Sequence, residues 1–300
     1  MNNKLLITFL TLLSWLLVTN GIANSPKRVL IGSPIRQKPA ILKEFLQSLE
    51  ELDHQTFQAD YFFIDDNTDP ESVNILYEFS QKQTTQCFIA KISQKATDLY
   101  ICNEKTHYWN DNIIWKVAAF KDEIIKFTLE YNYDYLFLVD SDLVLHPKTI
   151  DHLISTNKEI VSNIFWTQWQ PEIIKLPQVW YYDEYKQYSL APGEQLAADE
   201  INKRQTDFLR LMATPGTYEV GGLGACTLLS KSALTKGANF KKIKNITFWG
   251  EDRHFCVRAA ALGIDLFVDT HYPSYHIYRE SHLSGIPQFK ECCRNGTYYI

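Results

Sequence analysis

The stretch Tyr135-Leu-Phe-Leu-Val-Asp-Ser-Asp142 decides the fold class, because an unbroken apolar run is followed at once by two carboxylates. Apolar residues that do not alternate with polar ones are typical of a strand buried on both faces. Similar runs come earlier in the chain, separated by segments with apolar residues at helical spacing. The runs are 28–33, 61–64 and 86–92, and the helical segments include 41–52 and 110–130. This alternation predicts an α/β domain with a mostly parallel central sheet flanked by helices.

The second half of the chain is less regular. After a predicted strand at 159–165 the pattern breaks until residue 218, and an aromatic-rich insert fills the gap. Its aromatic residues are Trp166, Trp169, Trp180, Tyr181, Tyr182, Tyr185 and Tyr188. They form either a local core or a platform on which sugar rings stack. Further elements are predicted at 194–212, 225–230, 251–262 and 264–268.

The N-terminus has the pattern of a secretory signal peptide. One positive charge precedes an apolar run at 5–18, and the small residues Gly21 and Ala23 stand before Asn24. We predict cleavage after residue 23 and export through the secretory pathway. The alternative is an uncleaved signal anchor that associates the protein with a membrane, although the run is shorter than the roughly 20 residues of a spanning helix.

Composition excludes some classes of protein. The chain of 300 residues is 45% hydrophobic, which argues against intrinsic disorder. Its 35 acidic and 30 basic residues give a net charge of −5, so nucleic acid is not an expected partner. The six cysteines have no spacing typical of a zinc site.

Carboxylates follow two of the predicted strands. Asp140 and Asp142 come after the strand at 135–139, and Asp65 and Asp66 follow the strand at 61–64. Open α/β sheets bind ligands at the carboxyl ends of their strands. Paired carboxylates there suit Mg²⁺ or Mn²⁺, although Asp and Ser also form ordinary turns. Acids gathered at one edge repel one another unless a cation or cationic side chains lie nearby.

Two downstream segments carry further candidates. Glu251 and Asp252 open a predicted helix, where the helix dipole stabilises an ionised carboxylate, and both could be simple helix-terminal charges. His271 and His276 follow the last predicted strand. A neutral imidazole could complete a carboxylate site for Mn²⁺, or either histidine could be an ordinary surface residue.

The order of these motifs along the chain resembles that of the GT-A nucleotide-sugar-dependent glycosyltransferases. The likeness is greatest to the family 2-like group, with some similarity to the Anp1 type of mannosyltransferase, and it covers most of residues 28–280. The motifs are Ser33-Pro34, Phe63-Ile-Asp-Asp66, Tyr135-Leu-Phe-Leu-Val-Asp-Ser-Asp142, Val220-Gly-Gly222, Gly250-Glu-Asp252 and Tyr275-His-Ile-Tyr278. The resemblance implies one GT-A (Rossmann-like) domain at 26–290, with a nucleotide-binding half at 26–165 and an acceptor half at 166–290.

The resemblance also implies a reaction and a set of roles. The reaction is metal-dependent transfer of a sugar from a nucleotide-sugar donor to a hydroxyl group of a glycan, lipid or protein, with inversion at the sugar. Asp140, Asp142 and His276 would bind Mn²⁺ or Mg²⁺. Asp252 would be the catalytic base, and Glu251 would orient the acceptor or cap the helix. The implied donor contacts are Ser33, Pro34, Asp65, Asp66 and Asp140, and the acceptor contacts are Trp169, Trp180, Gly222 and Trp249.

Two other functions compete with this one. The segment Leu138-Val-Asp-Ser-Asp-Leu-Val144 also resembles the nucleophile motif of haloacid-dehalogenase phosphatases, in which Asp140 would attack phosphorus. That motif usually ends the first strand of its domain, whereas three strand–helix units precede Asp140 here. The third interpretation is an exported carbohydrate-binding protein that uses the aromatic insert and catalyses nothing.

Overall fold

The computed structural model describes residues 25–92, 100–105, 107–246 and 250–299. The predicted signal peptide lies outside the described residues. The strands are β1 (Lys27–Ile35), β2 (Phe57–Asp65), β3 (Cys87–Lys91), β4 (Ile101–Cys102), β5 (His107–Tyr108), β6 (Tyr135–Leu138), β7 (Leu143–Val144), β8 (Ile160–Thr167), β9 (Leu176–Pro177), β10 (Val179–Trp180), β11 (Thr217–Val220), β12 (Gly222–Leu223), β13 (Thr227–Ser230) and β14 (Leu266–His276). The helices are α1 (Pro39–Glu50), α2 (Pro70–Lys82), α3 (Asp111–Glu130), α4 (Thr149–Ser155), α5 (Ala198–Met212), α6 (Lys231–Thr235), α7 (Glu251–Ala261) and α8 (Ile286–Asn295), with a 3-10 helix at Glu280–Gly285.

A large central sheet organises the described part of the chain. Its main order is β11-β14-β8-β13-β6-β1-β2-β3. The pairs β3–β2, β2–β1, β1–β6 and β8–β14 are parallel, whereas β13 runs antiparallel between β6 and β8. Buried clusters cover both faces of the sheet. The predicted α/β fold with a largely parallel sheet is confirmed. After the insert the chain returns to the sheet through β11, which is antiparallel to β14, and then through β13.

Helix α3 packs unusually close to the sheet. A side chain at Gly32 in β1 would collide with Ile124 of α3, so the glycine allows this approach. Ile124 and the neighbouring Ile125 are buried in the core. The packing fixes α3 beside the carboxyl ends of β1 and β6, where its lysines reach the predicted site.

Strand β14 is longer than the strand predicted at 264–268. It pairs with β8 up to Asp269, shifts register, and resumes pairing at Ser274. It then pairs with β7 through Tyr275 and His276. The apolar pattern predicted only the first part of the strand. The β-bulge changes the direction of the strand and lets it continue to His276.

Two further observations concern expected features. In the part of the chain that the structure describes, none of the helices combines the length and the apolar character needed to cross a membrane. All six cysteines lie in this part and are free thiols. Cys226 and Cys256 are buried.

Candidate active site

The predicted Asp140-Ser-Asp142 motif forms the turn between β6 and β7. The amide of Val139 donates to the carbonyl of Gly32 at 3.0 Å, which ends the pairing of β6 with β1. The chain then turns into β7, and the amide of Ile277 donates to the carbonyl of Asp142 at 2.8 Å. The motif therefore lies at the carboxyl end of a central strand, as predicted, and the end of β14 holds its far side.

Asp142 belongs to a hydrogen-bonded group that we call the His276 cluster: Asp142, Thr167, Gln178 and His276. The His276 Nε2 lies 3.4 Å from Asp142 Oδ2, and its Nδ1 lies 2.8 Å from the hydroxyl oxygen of Thr167. Gln178 Nε2 donates to the same hydroxyl oxygen at 3.0 Å. Burial alone would raise the pKa of Asp142, but the nearby His276 outweighs it, so the pKa is lowered. This carboxylate is ionised at neutral pH.

Asp140 faces a different environment, which we call the Lys121 cluster: Lys121, Asp140, Glu251 and Asp252. Lys121 is only 2% exposed, and its Nζ lies 2.9 Å from Glu251 Oε1 and 3.1 Å from Asp252 Oδ1. Burial opposes the charge of Lys121, but Asp252, Glu251 and Asp140 together raise its pKa well above the usual value. The ammonium group is therefore a fixed positive charge among three acids.

The acids of the Lys121 cluster hold their protons more tightly than exposed acids do. Burial raises the pKa of Asp140 to about 6, although Lys121 acts in the opposite direction. Burial, with Glu251 and Asp140 nearby, raises the pKa of Asp252 to about 7, again against the effect of Lys121. The helix position predicted that Asp252 is ionised at neutral pH. Burial acts against this expectation, because it raises the pKa of Asp252 above that of an exposed carboxyl group.

The start of α7 aims Glu251 and Asp252 at Lys121. Gly250 has a φ of 123°, a conformation that favours glycine, and the Tyr185 hydroxyl fills the space that a side chain there would occupy. Lys121 and Asp252 also line a recess of about 10 Å³, enough for roughly one water molecule. The glycine thus sets the direction in which both carboxylates leave the helix.

The donor-binding residues predicted in β1 and β2 are mostly buried. Ser33 and Pro34 lie within β1, which extends three residues beyond its last pair with β6, at Gly32. Asp65 is buried and accepts from the amide and the side chain of Asn67 at 3.0 and 2.8 Å. Asp65 therefore has hydrogen-bond partners in the protein itself.

Asp66 has cationic neighbours that sequence reasoning did not name. Lys116 Nζ lies 2.6 Å from Asp66 Oδ1, and Arg36 Nη1 lies 3.8 Å from Asp66 Oδ2. Lys116 and Lys121 both come from α3, and Lys116 pairs with the acid after β2 whereas Lys121 pairs with the acids at the start of α7. The mutual repulsion expected among the carboxylates is thus relieved by side chains as well as by any cation.

A cleft of about 260 Å³ opens beside the His276 cluster, between the ends of β1, β2 and β14. Its basic lining residues are Arg36, Lys38, His107 and Arg279. His107 stacks on Tyr278 at 4.1 Å, and burial lowers the pKa of His107 although Asp142 acts to raise it. Asp140 and Asp142 do not line the cleft themselves, so His107 is the link between it and the His276 cluster.

Arg279 is the most constrained cation of this cleft. It is 3% exposed, and it donates to the backbone carbonyls of Glu104 and Gln168, both at 2.7 Å. Among the described residues, its Nη2 is buried and has no hydrogen-bond partner. A buried guanidinium nitrogen in this state is a ready donor to an anionic ligand.

The aromatic residues predicted to contact an acceptor differ in their exposure to solvent. Trp169 is 42% exposed and meets the ring of Tyr278 edge-on at 5.5 Å, next to the cleft. Trp180 is 4% exposed, and a side chain at Gly222 would collide with its ring. The structure therefore corrects the prediction for Trp180 and Gly222, which form part of the core. Trp249 lies outside the described residues.

The three predicted metal ligands do not close around one point. Asp142 and His276 are neighbours, whereas Asp140 interacts most strongly with Lys121. Sequence reasoning missed Lys121, Lys116 and Arg279. A signal existed for the first, because a lysine at a position predicted to face the core needs a buried acid as its partner.

Comparisons with known proteins agree with this geometry. The family model of the N-terminal domain of glycosyltransferase family 25 matches residues 26–169. A protein of Aedes aegypti described as a glycosyltransferase 25 family member is 27% identical over 161 residues, which cover 52% of this chain and 26% of that protein. The resemblance to glycosyltransferases is confirmed. The matched model is that of family 25, whereas the motifs resembled the family 2-like group.

A solved structure supports the same fold. The mannosyltransferase PcManGT from Pyrobaculum calidifontis, in complex with GDP-Man and Mn²⁺, has a TM-score of 0.53 at 9% identity, over 89% of this chain and 61% of that one. At this identity the likeness concerns the glycosyltransferase fold alone. The chain spans about a quarter of the curated relative, 26% of its length.

Proposed function

We propose that this protein transfers a sugar from a nucleotide-sugar donor to a hydroxyl group of a glycan, lipid or protein, in a reaction that depends on Mn²⁺ or Mg²⁺. The observation that carries the proposal is the pair of clusters on either side of Ser141. The His276 cluster offers an ionised carboxylate and an imidazole, while the Lys121 cluster holds an acid whose pKa is raised to about 7. The turn at Asp140-Ser-Asp142 thus lies between two possible metal ligands, Asp142 and His276, and a possible proton acceptor, Asp252.

The residues at the His276 cluster fit a divalent cation. Carboxylate oxygen and imidazole nitrogen are suitable ligands for Mn²⁺. The Thr167 hydroxyl can accept from Nδ1–H of His276, which leaves Nε2 free to bind a metal. Asp142 and His276 would hold the ion, and Asp140 would join them only by moving away from Lys121. When bound, the cation offsets the negative charge that develops on the leaving diphosphate.

The basic cleft suits the diphosphate of a donor. Arg279 Nη2 is buried and has no hydrogen-bond partner among the described residues, and Arg36 and Lys38 line the same space. Arginine recognises phosphate with paired, charge-assisted hydrogen bonds. Asp65, Asp66, Ser33 and Pro34 would lie on the nucleoside side of this cleft. In support, the mannosyltransferase of similar fold was solved with GDP-Man and Mn²⁺.

Asp252 is the proposed catalytic base. Its ionised oxygen would take the proton from the acceptor hydroxyl as that oxygen forms a bond to C1 of the sugar. The bond from C1 to the donor phosphate breaks on the opposite face, so the configuration at C1 inverts. A base works best when its pKa lies near the working pH, which the raised pKa of Asp252 provides. Glu251 keeps Lys121 in position and orients the acceptor.

Residues 1–23 would direct the chain into the secretory pathway, or anchor it at a membrane if they are not removed. No interaction with nucleic acid is proposed. The donor must then be supplied in the compartment that the protein reaches.

A thermal-shift screen of nucleotide sugars, with and without Mn²⁺, tests the proposal. A donor at about 100 times its Kd stabilises the native state by about 2.7 kcal/mol, because it binds only the folded protein. We expect this stabilisation for a nucleotide sugar with Mn²⁺ and not for the free sugar. NMR of the product formed from that donor then reports whether the linkage is inverted.

The competing functions give different results in the same experiment. A phosphatase would hydrolyse p-nitrophenyl phosphate with Mg²⁺, and a carbohydrate-binding protein would bind glycans without turnover. Failure of every nucleotide sugar to stabilise the protein with Mn²⁺ would contradict the proposed transfer reaction.

A further inference from the structure

Strand β14 carries a second group of metal-type side chains, away from the proposed donor site. The group consists of His152 of α4 with Asp269 and His271 of β14, and we call it the His152 triad. In the described part of the chain, it is the group of three such residues whose ligand atoms all lie within 4.8 Å of one another.

The three ligand atoms form a compact triangle. His152 Nε2 lies 3.2 Å from Asp269 Oδ2 and 3.1 Å from His271 Nδ1. The third side, from His271 Nδ1 to Asp269 Oδ2, is 3.0 Å. Hydrogen bonds alone suit this triangle poorly, because both imidazole nitrogens turn toward the same carboxylate oxygen and toward each other.

A zinc-type ion suits the same atoms. Zn²⁺ binds histidine nitrogen and carboxylate oxygen at about 2.0–2.2 Å, and tetrahedral ligands at that distance lie roughly 3.3 Å apart. The sides of the triangle are within about 0.3 Å of this separation. A change of a few tenths of an ångström would therefore complete three ligand positions of a tetrahedron.

The surrounding structure holds Asp269 in place. The hydroxyl of Thr217 in β11 donates to Asp269 Oδ2 at 2.7 Å, and the amide of His271 donates to Asp269 Oδ1 at 3.0 Å. The Asp269 side chain is fully buried. Partners of this kind orient metal ligands and tune their affinity.

The β-bulge of β14 is what directs His271 toward α4. Thr270 donates its amide to the carbonyl of Gly216 at 2.8 Å, and the hydroxyl of Tyr298 donates to the carbonyl of Thr270 at 2.8 Å. These bonds fix the backbone between the two ligands from β14. The triangle is therefore built on anchored structure and not on a free loop.

The triad is open to solvent on the histidine side. The side chains of His152 and His271 are 27% and 38% exposed, so an ion can enter and a water molecule can occupy the fourth position. The triad is also separate from the His276 cluster. Asp269 pairs with Asn163 and Ser274 pairs with Phe165, so the path from Asp269 to His276 advances by about four residues, roughly 13 Å, along the sheet.

We propose that His152, Asp269 and His271 bind one Zn²⁺ ion, which fastens α4 to the bulge of β14. Two imidazoles and one carboxylate favour zinc over Mn²⁺, because imidazole ligands follow the Irving–Williams order. Because the triad lies apart from the donor site, we assign the ion no part in sugar transfer. This proposal stands whether or not the proposed function is correct.

Calorimetric titration of the full chain with ZnCl₂ tests the proposed zinc site. The protein carries no added polyhistidine tag and is first treated with a chelator. The Asp142→Ala background removes binding at the proposed donor site. We expect one Zn²⁺ per chain in this background and a rise in melting temperature. Single His152→Gln and His271→Gln changes should abolish this binding, and Thr217→Val should weaken it about 10–100-fold.

His54→Gln is the matched control, because His54 is an exposed histidine remote in sequence from the triad. It should bind zinc as the parent does. Should a triad variant fail to fold, the visible absorption of bound Co²⁺ in the Asp142→Ala protein still decides, since four-coordinate ligation by nitrogen and oxygen gives intense bands. The proposal is overturned by unchanged zinc affinity in folded triad variants, by the absence of zinc binding in the parent, or by a six-coordinate Co²⁺ spectrum.

Discussion

Asp140 and Asp142 are separated by one residue, yet the clusters on their two sides have opposite electrostatics. Asp142 faces an imidazole that lowers its pKa, so it carries a charge at neutral pH. Asp140 and Asp252 are buried with other acids around one lysine, and their pKa values are raised to about 6 and about 7. The difference shows that one turn can place an ionised carboxylate beside an imidazole and a carboxyl group with a raised pKa beside a buried lysine.

The largest expected effect comes from breaking the His276 cluster. Asp142→Ala removes the carboxylate nearest His276, so metal-dependent donor binding should be lost and transfer should fall below detection. Asp140→Ala should be somewhat less severe. Isothermal titration with Mn²⁺ and the nucleotide measures this, and circular dichroism should show an intact fold. Unchanged Mn²⁺ and nucleotide affinity in Asp142→Ala would remove the basis for the metal assignment.

The next effect separates the base from the metal ligands. Asp252→Asn keeps the shape of the side chain and removes its basic oxygen, so transfer should fall by roughly 10²–10⁴-fold while donor affinity changes little. Single-turnover kinetics and donor titration measure the two quantities. Near-normal turnover by the Asn variant, or a product with retained configuration, would contradict the role given to Asp252.

The dependence of kcat/KM on pH at the acid end of its profile, the acid limb, tests the difference between the two clusters. Because the base must be ionised, kcat/KM should fall about tenfold per pH unit below pH 7, and not near the usual carboxyl pKa of about 4. Lys121 lowers the pKa of Asp252, so Lys121→Met should move this limb to higher pH. It should also destabilise the fold by about 3 kcal/mol, the lower end of the range for breaking a buried pair, because Asp252 is 29% exposed.

Lys116→Met is the matched control for that variant. Lys116 comes from the same helix but pairs with Asp66. We expect weaker donor binding and an unchanged acid limb. An acid limb that moves equally in both lysine variants would mean that the two clusters do not act separately.

The smallest effect on activity concerns the tryptophans. Trp169→Ala should weaken acceptor use about 2–10-fold, the value of one ring contact, and leave stability nearly unchanged. Trp180→Ala should instead cost about 3–5 kcal/mol of stability, because its buried ring fills the space above Gly222. Acceptor kinetics and chemical denaturation distinguish the two results, and a stability loss in Trp169→Ala would assign that residue to the core as well.

Local patterns of the sequence predicted the frame of the site well. Apolar runs and helical spacing located β1, β2, β3, β6 and α3, because these elements are decided by burial along a short stretch. The carboxyl-end position of Asp140 and Asp142 followed from that order. Contacts between distant segments could not be predicted in this way. Lys121 meets residues that come 130 and 131 positions later, and no periodicity encodes such a pair.

The same limit explains the errors. The extension of β14 depends on a bulge and on pairing with β7, which the apolar pattern does not signal. The pKa of Asp252 depends on burial by tertiary packing, whereas the helix position gave only the local effect of the dipole. Trp169 and Trp180 both lie in the aromatic-rich insert, and only the packed structure separates a cleft residue from a core residue.

Helix α3 sets the distance between Lys116 and Lys121, which pair with acids in two parts of the site. Lys116 serves the acid at the end of β2 and Lys121 serves the acids of α7, and five helical residues separate them by about 7.5 Å along the axis. This spacing is set by helix geometry, and Gly32 allows α3 to pack closely against the sheet. One residue inserted between the lysines would turn one of them by about 100° relative to the other. The separation between Lys116 and Lys121 therefore does not depend on the lengths of the surface loops.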